Sequence, residues 1–427
     1  MNKFIKITLI LILSILTVSL IGCDNSVPAT DSYTVSFVDY DGTVLKTVDC
    51  TVGEACEILP PEDPDYFDGT DSAQYFTRWS MFESEFDSID RDTTIEAIYT
   101  LDNRLITIGD RSIVMYSFFI IMGIMIALFL GLREAKRTGI DKDKLLDGFL
   151  WIVPVAILGA RLWYVAFEWS SFAYGGFFPS LLRILGFRTG TLDFSSFGLS
   201  GLAIHGAFVV AIICAFFYCK LRKIDIFKVV DLVAIGFIIA QASGRWGNFF
   251  NQEAHGSIVG GVNAAGQMNL TLEAQYNFLK NTLHLPSFIV NNMYIVRGLH
   301  SVSTEQFTGF YHPTFFYESS INVIGFFIML VLRRWKKIHF GELLSFYLIW
   351  YGGLRIFIET LRTDPLTFDI FGITMKSAIV TSVIMILLGI GLSAFIRLTR
   401  KGKTYATVPG YFGYKKDKEK ETEETEK

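Results

Sequence analysis

The chain has 427 residues, of which 51% are hydrophobic and 19% are charged, and it contains 39 phenylalanines. This composition excludes an ordinary soluble globular protein and indicates a membrane protein. The net charge of −4 is unevenly distributed, because residues 24–102 carry nineteen acidic and three basic side chains. The rest of the chain is therefore net basic, which indicates two different compartments.

The first 22 residues are typical of a secretory signal. Lys3 and Lys6 precede an apolar core at 7–21, which favours a signal peptide, with an uncleaved anchor as the alternative. The residues before Cys23, Leu20-Ile21-Gly22, resemble a bacterial lipobox. That resemblance implies that Cys23 is lipid-linked and becomes the mature N-terminus. The alternative is a secretory signal with an incidental cysteine.

Residues 23–103 have the pattern of a small, acidic, β-rich domain outside the membrane. Segments 33–38 and 44–48 flank Asp41-Gly42, and this dipeptide supplies the positive φ values of a tight hairpin turn. Two further strand-like segments cover 75–79 and 93–99. The layout resembles the β-grasp-like repeats of Gram-positive surface proteins such as internalins.

Two cysteines of this domain, Cys50 and Cys56, lie six residues apart. A disulfide is permitted outside the cytoplasm, and two free thiols fit the sequence as well.

Residues 104–400 contain seven apolar segments, each long enough to cross about 30 Å of hydrocarbon. They run over 112–132, 145–167, 199–219, 229–250, 314–332, 342–359 and 375–398. The predicted fold is a polytopic α-helical membrane protein with seven transmembrane helices. A small extracellular head is expected in the insert at 252–311, and the β-rich domain precedes the helices.

Basic clusters follow the first, third, fifth and seventh segments, and they decide the orientation. They are Arg133, Lys136 and Arg137; Lys220, Arg222 and Lys223; Arg333, Arg334, Lys336 and Lys337; and Arg397, Arg400, Lys401 and Lys403. An alternating topology places all four on one side, which the positive-inside rule makes cytoplasmic. We expect a multi-pass protein of the bacterial plasma membrane, with its N-terminal domain outside and its charged tail, residues 401–427, in the cytoplasm.

Polar side chains concentrate in the outer halves of the predicted segments, where an ionisable group is costly unless it has partners. The densest stretch runs from Gly244 to Gly256 and includes Arg245. Arg161 and Arg355 lie on other segments at a similar depth. Three such arginines require an anion, which a phosphate could supply because guanidinium binds it in a bidentate geometry. Internal carboxylates that could serve instead are Glu253, Glu318 and Glu359.

Each polar candidate has a structural alternative. Tyr116 could belong to an interfacial aromatic belt, and His205 could be a structural histidine. Arg161 could be held by backbone carbonyls or a nearby glutamate. Arg355 and Glu359 are spaced i, i+4 and could pair with each other.

The same motifs, in this order, resemble the prolipoprotein diacylglyceryl transferase family over about residues 106–398. They are Gly159-Ala160-Arg161 with Tyr164, Ala203-Ile204-His205-Gly206, the stretch from Gly244 to Glu253, His312-Pro313 with Tyr317-Glu318, and Arg355 through Glu359 to Arg362 and Asp364. The stretch from Gly244 is highly specific. In two departures, Ala207 stands where the family usually has a second glycine, and the segment before His205 lacks the usual tryptophan.

The resemblance implies transfer of the sn-1,2-diacylglyceryl group from phosphatidylglycerol to the thiol of a lipobox cysteine. A thioether forms and glycerol phosphate is released. The implied partners are phosphatidylglycerol, membrane lipid and prolipoprotein signal peptides, with no nucleic acid. No cofactor is implied, and the sequence shows neither a metal-ligand spacing nor a nucleotide fingerprint.

The implied catalytic residues are His205, Arg245, Arg355 and Tyr116. The implied substrate-binding residues are Arg245, Asn248, Asn251, Glu253, Gly256, Arg161, His312 and Glu359. The arginines would stabilise the departing phosphate oxyanion. Because the substrate thiol has a pKa of about 8.5, a base would help, with His205 the first candidate and Tyr116 the second.

Two other function classes use some of the same features. A transporter of a lipid or an organic anion could employ the same arginines in discontinuous helices, although the sequence has no internal repeat. A non-catalytic receptor or anchoring protein would act through the outer domain, but it gives the histidine and the arginines no role.

Overall fold

The computed structural model describes residues 32–39, 42–64, 76–108, 111–187, 189–193, 198, 201–296, 307–362, 367–370, 373–409 and 411–412. The predicted signal segment, Cys23 and most of the charged tail lie outside these residues. The chain divides into two compact units, the first ending at Thr100 and the second beginning at Leu101.

The first unit is built on a four-stranded mixed sheet with the strand order β2-β1-β4-β3. Its strands are β1 (Ser32–Val38), β2 (Val44–Thr51), β3 (Phe76–Trp79) and β4 (Thr93–Tyr99). Strand β1 forms the predicted antiparallel hairpin with β2 and pairs in parallel with β4, which pairs antiparallel with β3. The β-rich character predicted for this region is therefore confirmed.

One face of the two central strands forms the core of this unit. Val35, Phe37 and Ile95 have no exposed surface, and the Phe37 ring lies 5.1 Å from that of Trp79. Successive strand residues point to opposite faces, which explains the alternation of buried and exposed positions. Cys50 and Cys56, whose pairing the sequence leaves open, form a disulfide with their Cα atoms 5.6 Å apart.

The second unit opens with a hairpin of β5 (Arg104–Ile108) and β6 (Arg111–Val114) and continues mainly as helices. In chain order these are α1 (Met115–Thr138), α2 (Lys142–Phe167), the short α3 (Phe177–Leu185), α4 (Ile204–Arg222), α5 (Ile226–Phe250), the short α6 (Leu272–Asn277) and α7 (Ser287–Asn291), α8 (Thr314–Leu332), α9 (Glu342–Leu361) and α10 (Ser377–Thr399).

Within the described ranges, six helices are long and apolar enough to cross a membrane: α1, α2, α4, α5, α8 and α10. The prediction of a polytopic helical membrane protein is confirmed. Helix α9 covers the sixth predicted segment and has 20 residues, but it is not among these six. The count of seven spans therefore stays a prediction.

Helix α5 lies at the centre of the unit, where it packs against α1, α8 and α9, and α2 pairs with α4. Glycines permit the closest crossings. A Cβ atom on Gly206 of α4 would lie 2.5 Å from the carbonyl oxygen of Gly159 on α2. Small residues at such crossings are common in membrane helices because they let two backbones approach.

We call the end of the bundle where α5 ends and α8 begins the outer end, and the opposite end the inner end. At the outer end, the predicted head contains α6, a π-helical turn at Phe278–Thr282, α7 and a two-stranded pairing of β7 (Tyr294–Ile295) with β8 (Gly309–Phe310). A hairpin of β9 (Thr367–Ile370) and β10 (Ile373–Lys376) lies between α9 and α10.

At the inner end, a buried carboxylate holds the start of α9. Asp231 of α5 has no exposed surface and accepts hydrogen bonds from the backbone N–H groups of Gly341, Leu343 and Leu344, at 2.8, 3.0 and 3.2 Å. A carboxylate at a helix N-terminus satisfies donors that otherwise have no partner and also complements the helix dipole. The Tyr405 hydroxyl donates a fourth hydrogen bond to Asp231, at 2.9 Å.

Residues 401–409 and 411–412 contain side chains that pack on this inner end, although the sequence groups them with the charged tail. Tyr405 and Tyr411 are buried in the same core cluster as Phe340 and Leu343. The Tyr411 hydroxyl donates a hydrogen bond to Glu134 of α1 at 2.5 Å. The chain just after α10 is thus part of the helical unit.

Candidate active site

Three helices converge on Arg245 at the outer end. Its Nη2 atom lies 2.8 Å from Oε1 of Glu318 in the first turns of α8, and its side chain lies beside the hydroxyl of Tyr351 on α9. The Glu318 side chain is 2% exposed and that of Arg245 is 21% exposed. A charge at such a depth needs a partner, and here it has both an ionic and a neutral one.

A chain of polar contacts leads from Arg245 towards solvent. Arg245 Nη1 lies 3.4 Å from Oδ1 of Asn248. The amide groups of Asn248 and Asn251 both donate to Oε1 of Glu253, at 2.8 and 3.2 Å. Glu253 is exposed. The four predicted side chains therefore form one network from the buried guanidinium to the surface.

Two residues just after α5 have positive φ angles, Gln252 at 49° and Ala254 at 55°. Non-glycine residues rarely adopt this region. The turn brings the chain back over the end of the helix, where the backbone N–H of Glu253 donates to the carbonyl of Asn248.

Tyr116 lies directly against the arginine motif. A Cβ atom on Gly247 would lie 2.6 Å from Cδ2 of Tyr116, so only glycine lets the tyrosine ring approach this closely. Behind it, the ring of Trp246 packs edge-on against Phe315 of α8, with ring centroids 5.4 Å apart.

Arg355 lies one turn beyond Tyr351 on α9. Its Nη2 atom is 3.1 Å from Oε2 of Glu359, whose side chain is 1% exposed. Tyr351 lies within electrostatic reach of both Arg245 and Arg355. The Nη1 atom of Arg355 is buried and has no hydrogen-bond partner among the described residues. Arg355 thus keeps one buried N–H group that the described residues do not use.

Arg161 has a different set of contacts. Its guanidinium donates to the backbone carbonyls of Ile184, Gly201 and Arg183, at 3.0, 3.2 and 2.7 Å, and it lies over the ring of Phe172. Backbone acceptors therefore satisfy this buried arginine, and its contacts fasten the segment after α2 to the bundle.

His205 lies in the first turn of α4 and is exposed. Its side chain has no hydrogen-bond partner in the part of the chain that the structure describes. Gly206 next to it packs against Trp163 and the Gly159 carbonyl, so the backbone carrying the imidazole is tightly fixed while the ring is accessible.

His312 and Gly256 pack closely against each other where the head joins the helices. His312 Nδ1 lies 3.2 Å from the hydroxyl of Tyr317, and burial lowers the pKa of His312 below its usual 6.5. A Cβ atom on Gly256 would lie 2.8 Å from Cβ of His312 and 3.0 Å from the carbonyl oxygen of Leu361. Gly256 leaves room for these protein groups.

Tyr351 was not among the residues predicted from the sequence, although it lies four residues before Arg355 and so on the same helix face. The polar residues one turn further in were not predicted either. Gln241 lies beside Tyr347, and Asn322 is fully buried with no partner for either amide atom among the described residues. These residues could have been predicted to belong to the site, because a glutamine, an asparagine and a tyrosine are unusual inside apolar segments.

In the described residues, no three His, Cys, Asp or Glu side chains lie close enough together to hold a metal ion.

Comparison with known proteins identifies relatives of the helical unit. The family model of prolipoprotein diacylglyceryl transferase matches residues 103–395. Three similar proteins are each named phosphatidylglycerol–prolipoprotein diacylglyceryl transferase. The protein of Listeria innocua is 38% identical over 301 residues, which cover 70% of this chain and 92% of the relative. That of Streptococcus sanguinis is 38% identical over 298 residues, covering 70% and 96%. That of Bacillus cereus strain G9842 is 40% identical over 266 residues, covering 62% and 83%.

Proposed function

Because the chain belongs to the prolipoprotein diacylglyceryl transferase family, whose members are membrane transferases, we propose that it uses phosphatidylglycerol as its donor lipid. The acceptor is the thiol of a lipobox cysteine in a prolipoprotein signal peptide. The products are a thioether-linked diacylglyceryl cysteine and glycerol phosphate.

The observation that carries this proposal is the convergence of Arg245, Glu318 and Tyr351 from three helices. A guanidinium has five N–H donors in a fixed plane. Glu318 and Tyr351 hold that plane in place, and the remaining donors can meet a phosphate in the bidentate geometry that arginine offers. The unpartnered Nη1 atom of Arg355 supplies a further donor one turn away.

The chemical step needs these cations. The thiol loses its proton, the sulfur bonds to the glycerol carbon, and the carbon–oxygen bond to the phosphate breaks with its electron pair going to that oxygen. Negative charge therefore develops on the phosphate as the reaction proceeds. Fixed donors aimed at developing charge lower such a barrier more than they stabilise the ground state.

His205 acts as the base in this proposal, because it is exposed at the outer end and can meet a substrate thiol. Tyr116, packed against Gly247, is the second candidate. Asn248, Asn251 and Glu253 bind the hydroxyl groups of the departing glycerol.

The other predicted residues support this arrangement. Glu359 orients Arg355, His312 and Gly256 pack together where the head joins the helices, and Arg161 secures the segment after α2 through backbone carbonyls. We assign positioning roles to these residues, because the contacts of each one are with other groups of the protein.

We also propose how the chain is oriented in the membrane and how its N-terminal signal is processed. The inner end, which carries the basic clusters, faces the cytoplasm, and the acidic β-rich unit lies outside the plasma membrane. Cys23 is lipidated within its lipobox. Replacing Cys23 with Ser abolishes incorporation of labelled lipid into this chain if the assignment is right, and unchanged labelling contradicts it.

The transfer is tested with the purified full-length chain, phosphatidylglycerol and a lipobox peptide. The expected result is a mass gain of one diacylglyceryl group on the peptide cysteine. Arg245→Ala should abolish this gain, while Arg222→Ala, a matched arginine at the inner end of α4, should retain it. No mass gain with the intact chain would overturn the proposal.

A further inference from the structure

A second basic site lies at the inner end of the bundle. A cavity of about 570 Å³ is lined by residues 335–339, which follow α8, together with Arg397 of α10 and Thr404. Helix α8 separates it from Glu318, and the 14 residues from Glu318 to Leu332 span roughly 20 Å along the helix axis. The cavity is therefore not part of the transfer site.

Two lysines of this cavity carry uncompensated charge. Lys336 and Lys337 are exposed, and neither has an ion-pair or side-chain hydrogen-bond partner in the described ranges. The two preceding arginines differ, because Arg333 and Arg334 both approach Oε2 of Glu134, at 3.5 and 3.1 Å. In the basic cluster after α8, the two arginines are therefore paired with a carboxylate inside the protein, whereas the two lysines are not.

Arg397 of α10 adds further donors to the lining of the cavity. Its Nε atom lies 2.5 Å from Oε1 of Glu342, yet its side chain is 63% exposed. The Glu342 carboxylate offsets the charge of Arg397 and leaves the two lysine charges without a counterion. The terminal nitrogens of Arg397 take no part in that contact. The cavity therefore presents a net positive charge with several N–H donors.

The surroundings of the cavity match the boundary between hydrocarbon and headgroups. Trp335 is 60% exposed at its rim, and tryptophan is enriched at this level of a bilayer. Val331 in the last turn of α8 is 72% exposed, and Leu398 in the last turn of α10 is 73% exposed. Both belong to helices apolar enough to span a membrane, so an apolar surface adjoins the basic cavity.

We propose that this cavity binds the phosphodiester of an anionic phospholipid, as a lipid site separate from the one at Arg245. The phosphate lies among Lys336, Lys337 and Arg397, and the acyl chains pack along Val331 and Leu398. Basic pockets between membrane helices bind anionic headgroups in this manner. The inference does not depend on the transfer reaction, because it concerns the opposite end of the bundle.

Quenching of Trp335 fluorescence by lipids with brominated acyl chains measures how much lipid lies next to the cavity. The full-length chain is placed in phosphatidylcholine nanodiscs that contain an equal fraction of either brominated phosphatidylglycerol or brominated phosphatidylcholine. Since the chain has 7 tryptophans, the signal of a Trp335→Phe variant is subtracted. We expect the brominated anionic lipid to quench Trp335 more strongly than the zwitterionic one.

The double variant Lys336→Gln, Lys337→Gln should lose this preference, by about fivefold for each lysine removed. The matched control is Lys136→Gln, Lys220→Gln, which removes two exposed lysines at the same end that do not line the cavity. The control should keep the preference. Equal quenching by both lipids, or equal loss in both double variants, would overturn the proposal.

Inorganic phosphate and glycerol phosphate distinguish a lipid from a free anion. If the site takes a lipid, neither soluble compound relieves the quenching at millimolar concentration, because neither gains from the apolar surface. Displacement of the brominated lipid by inorganic phosphate would reject the lipid assignment in favour of a soluble phosphate site. Failure of these experiments would leave the peptide mass-gain assay unaffected.

Discussion

Arg245 Nη2 and Glu318 Oε1 lie 2.8 Å apart on two neighbouring helices, and the glutamate is almost completely buried. Removing one partner of a buried ion pair leaves an uncompensated charge, which typically costs about 3–5 kcal/mol. The pair therefore fixes the guanidinium plane before any lipid arrives. Preorganisation of this kind is what electrostatic catalysis requires, since donors that are already aligned need not reorganise as charge develops.

The first prediction concerns the shape of this guanidinium. Arg245→Lys keeps the charge but loses the planar fork, so we expect kcat/KM to fall by about 100-fold or more. The measurement is initial rate of peptide modification against phosphatidylglycerol concentration. Arg222→Lys, at the inner end, serves as the control and should match the parent chain. A rate for Arg245→Lys within a factor of two of the parent would contradict the phosphate role.

The second prediction concerns Glu318, which positions Arg245 but does not itself bind the lipid. Glu318→Gln removes the charge that positions Arg245, and a small displacement of a catalytic group costs up to about 100-fold in rate. We expect a 10- to 100-fold loss of kcat/KM together with a lower unfolding temperature in detergent. The double variant Arg245→Gln, Glu318→Gln should be less destabilised than the sum of the single variants. Strict additivity would show that the two side chains do not act as a pair.

The third prediction tests the proposed base. His205→Gln should lower the rate at neutral pH by at least about 100-fold if the imidazole removes the thiol proton. Raising the pH towards 9 should restore part of this loss, because a thiol with a pKa of about 8.5 ionises without help. The comparison is the ratio of variant to parent rates across the pH range. A ratio that does not change with pH would dismiss His205 as the base.

The fourth prediction follows from the buried His312. Its pKa is lowered from 6.5 by burial, so the unfolded chain binds a proton more readily than the folded one. Stability from this group is complete above pH 6.5 and is lost as the pH falls through the lowered pKa. The unfolding temperature in detergent should therefore drop on acidification, and His312→Gln should reduce that drop.

The control for this pH dependence is His284→Asn, an exposed histidine of the same head. Its φ of 52° is one that asparagine tolerates. This variant should keep the acid-induced decrease of the parent chain. An unchanged decrease in His312→Gln would show that other groups cause it.

The fifth prediction concerns the inner end. Tyr405→Phe removes the hydroxyl that donates to the buried Asp231, and leaving a buried acceptor short of a donor costs about 1–3 kcal/mol. We expect a lower unfolding temperature with unchanged activity per folded molecule. Thr381→Val, which removes an exposed hydroxyl bonded within its own helix, should change stability by less than about 0.5 kcal/mol. Equal effects of the two substitutions would contradict a special role for Tyr405.

Hydropathy located most of the helices because a bilayer imposes a length on each apolar run. The predicted segment 314–332 coincides with α8, Thr314–Leu332. The first segment was expected from residue 112, whereas α1 begins at Met115 because residues 111–114 pair as β6 with β5. Ile113 and Val114 are apolar and β-branched, so they suit a strand as well as a helix.

The site was predictable as a set of residues, but its contacts were not. The i, i+4 approach of Arg355 and Glu359 follows from helix periodicity. Arg245 and Glu318 are 73 residues apart in the chain, and their pairing depends on how their two helices are packed, which no local spacing determines. The carbonyl partners of Arg161 lie at the end of the short helix α3 and at Gly201, and no local spacing determines how these parts fold back onto α2.

Asp231 fixes the first turn of α9 through its backbone N–H groups. Arg355 lies 12 residues beyond Leu343 on this helix, about 18 Å along its axis. A contact at the inner end therefore helps to set the depth at which Arg355 lies at the outer end.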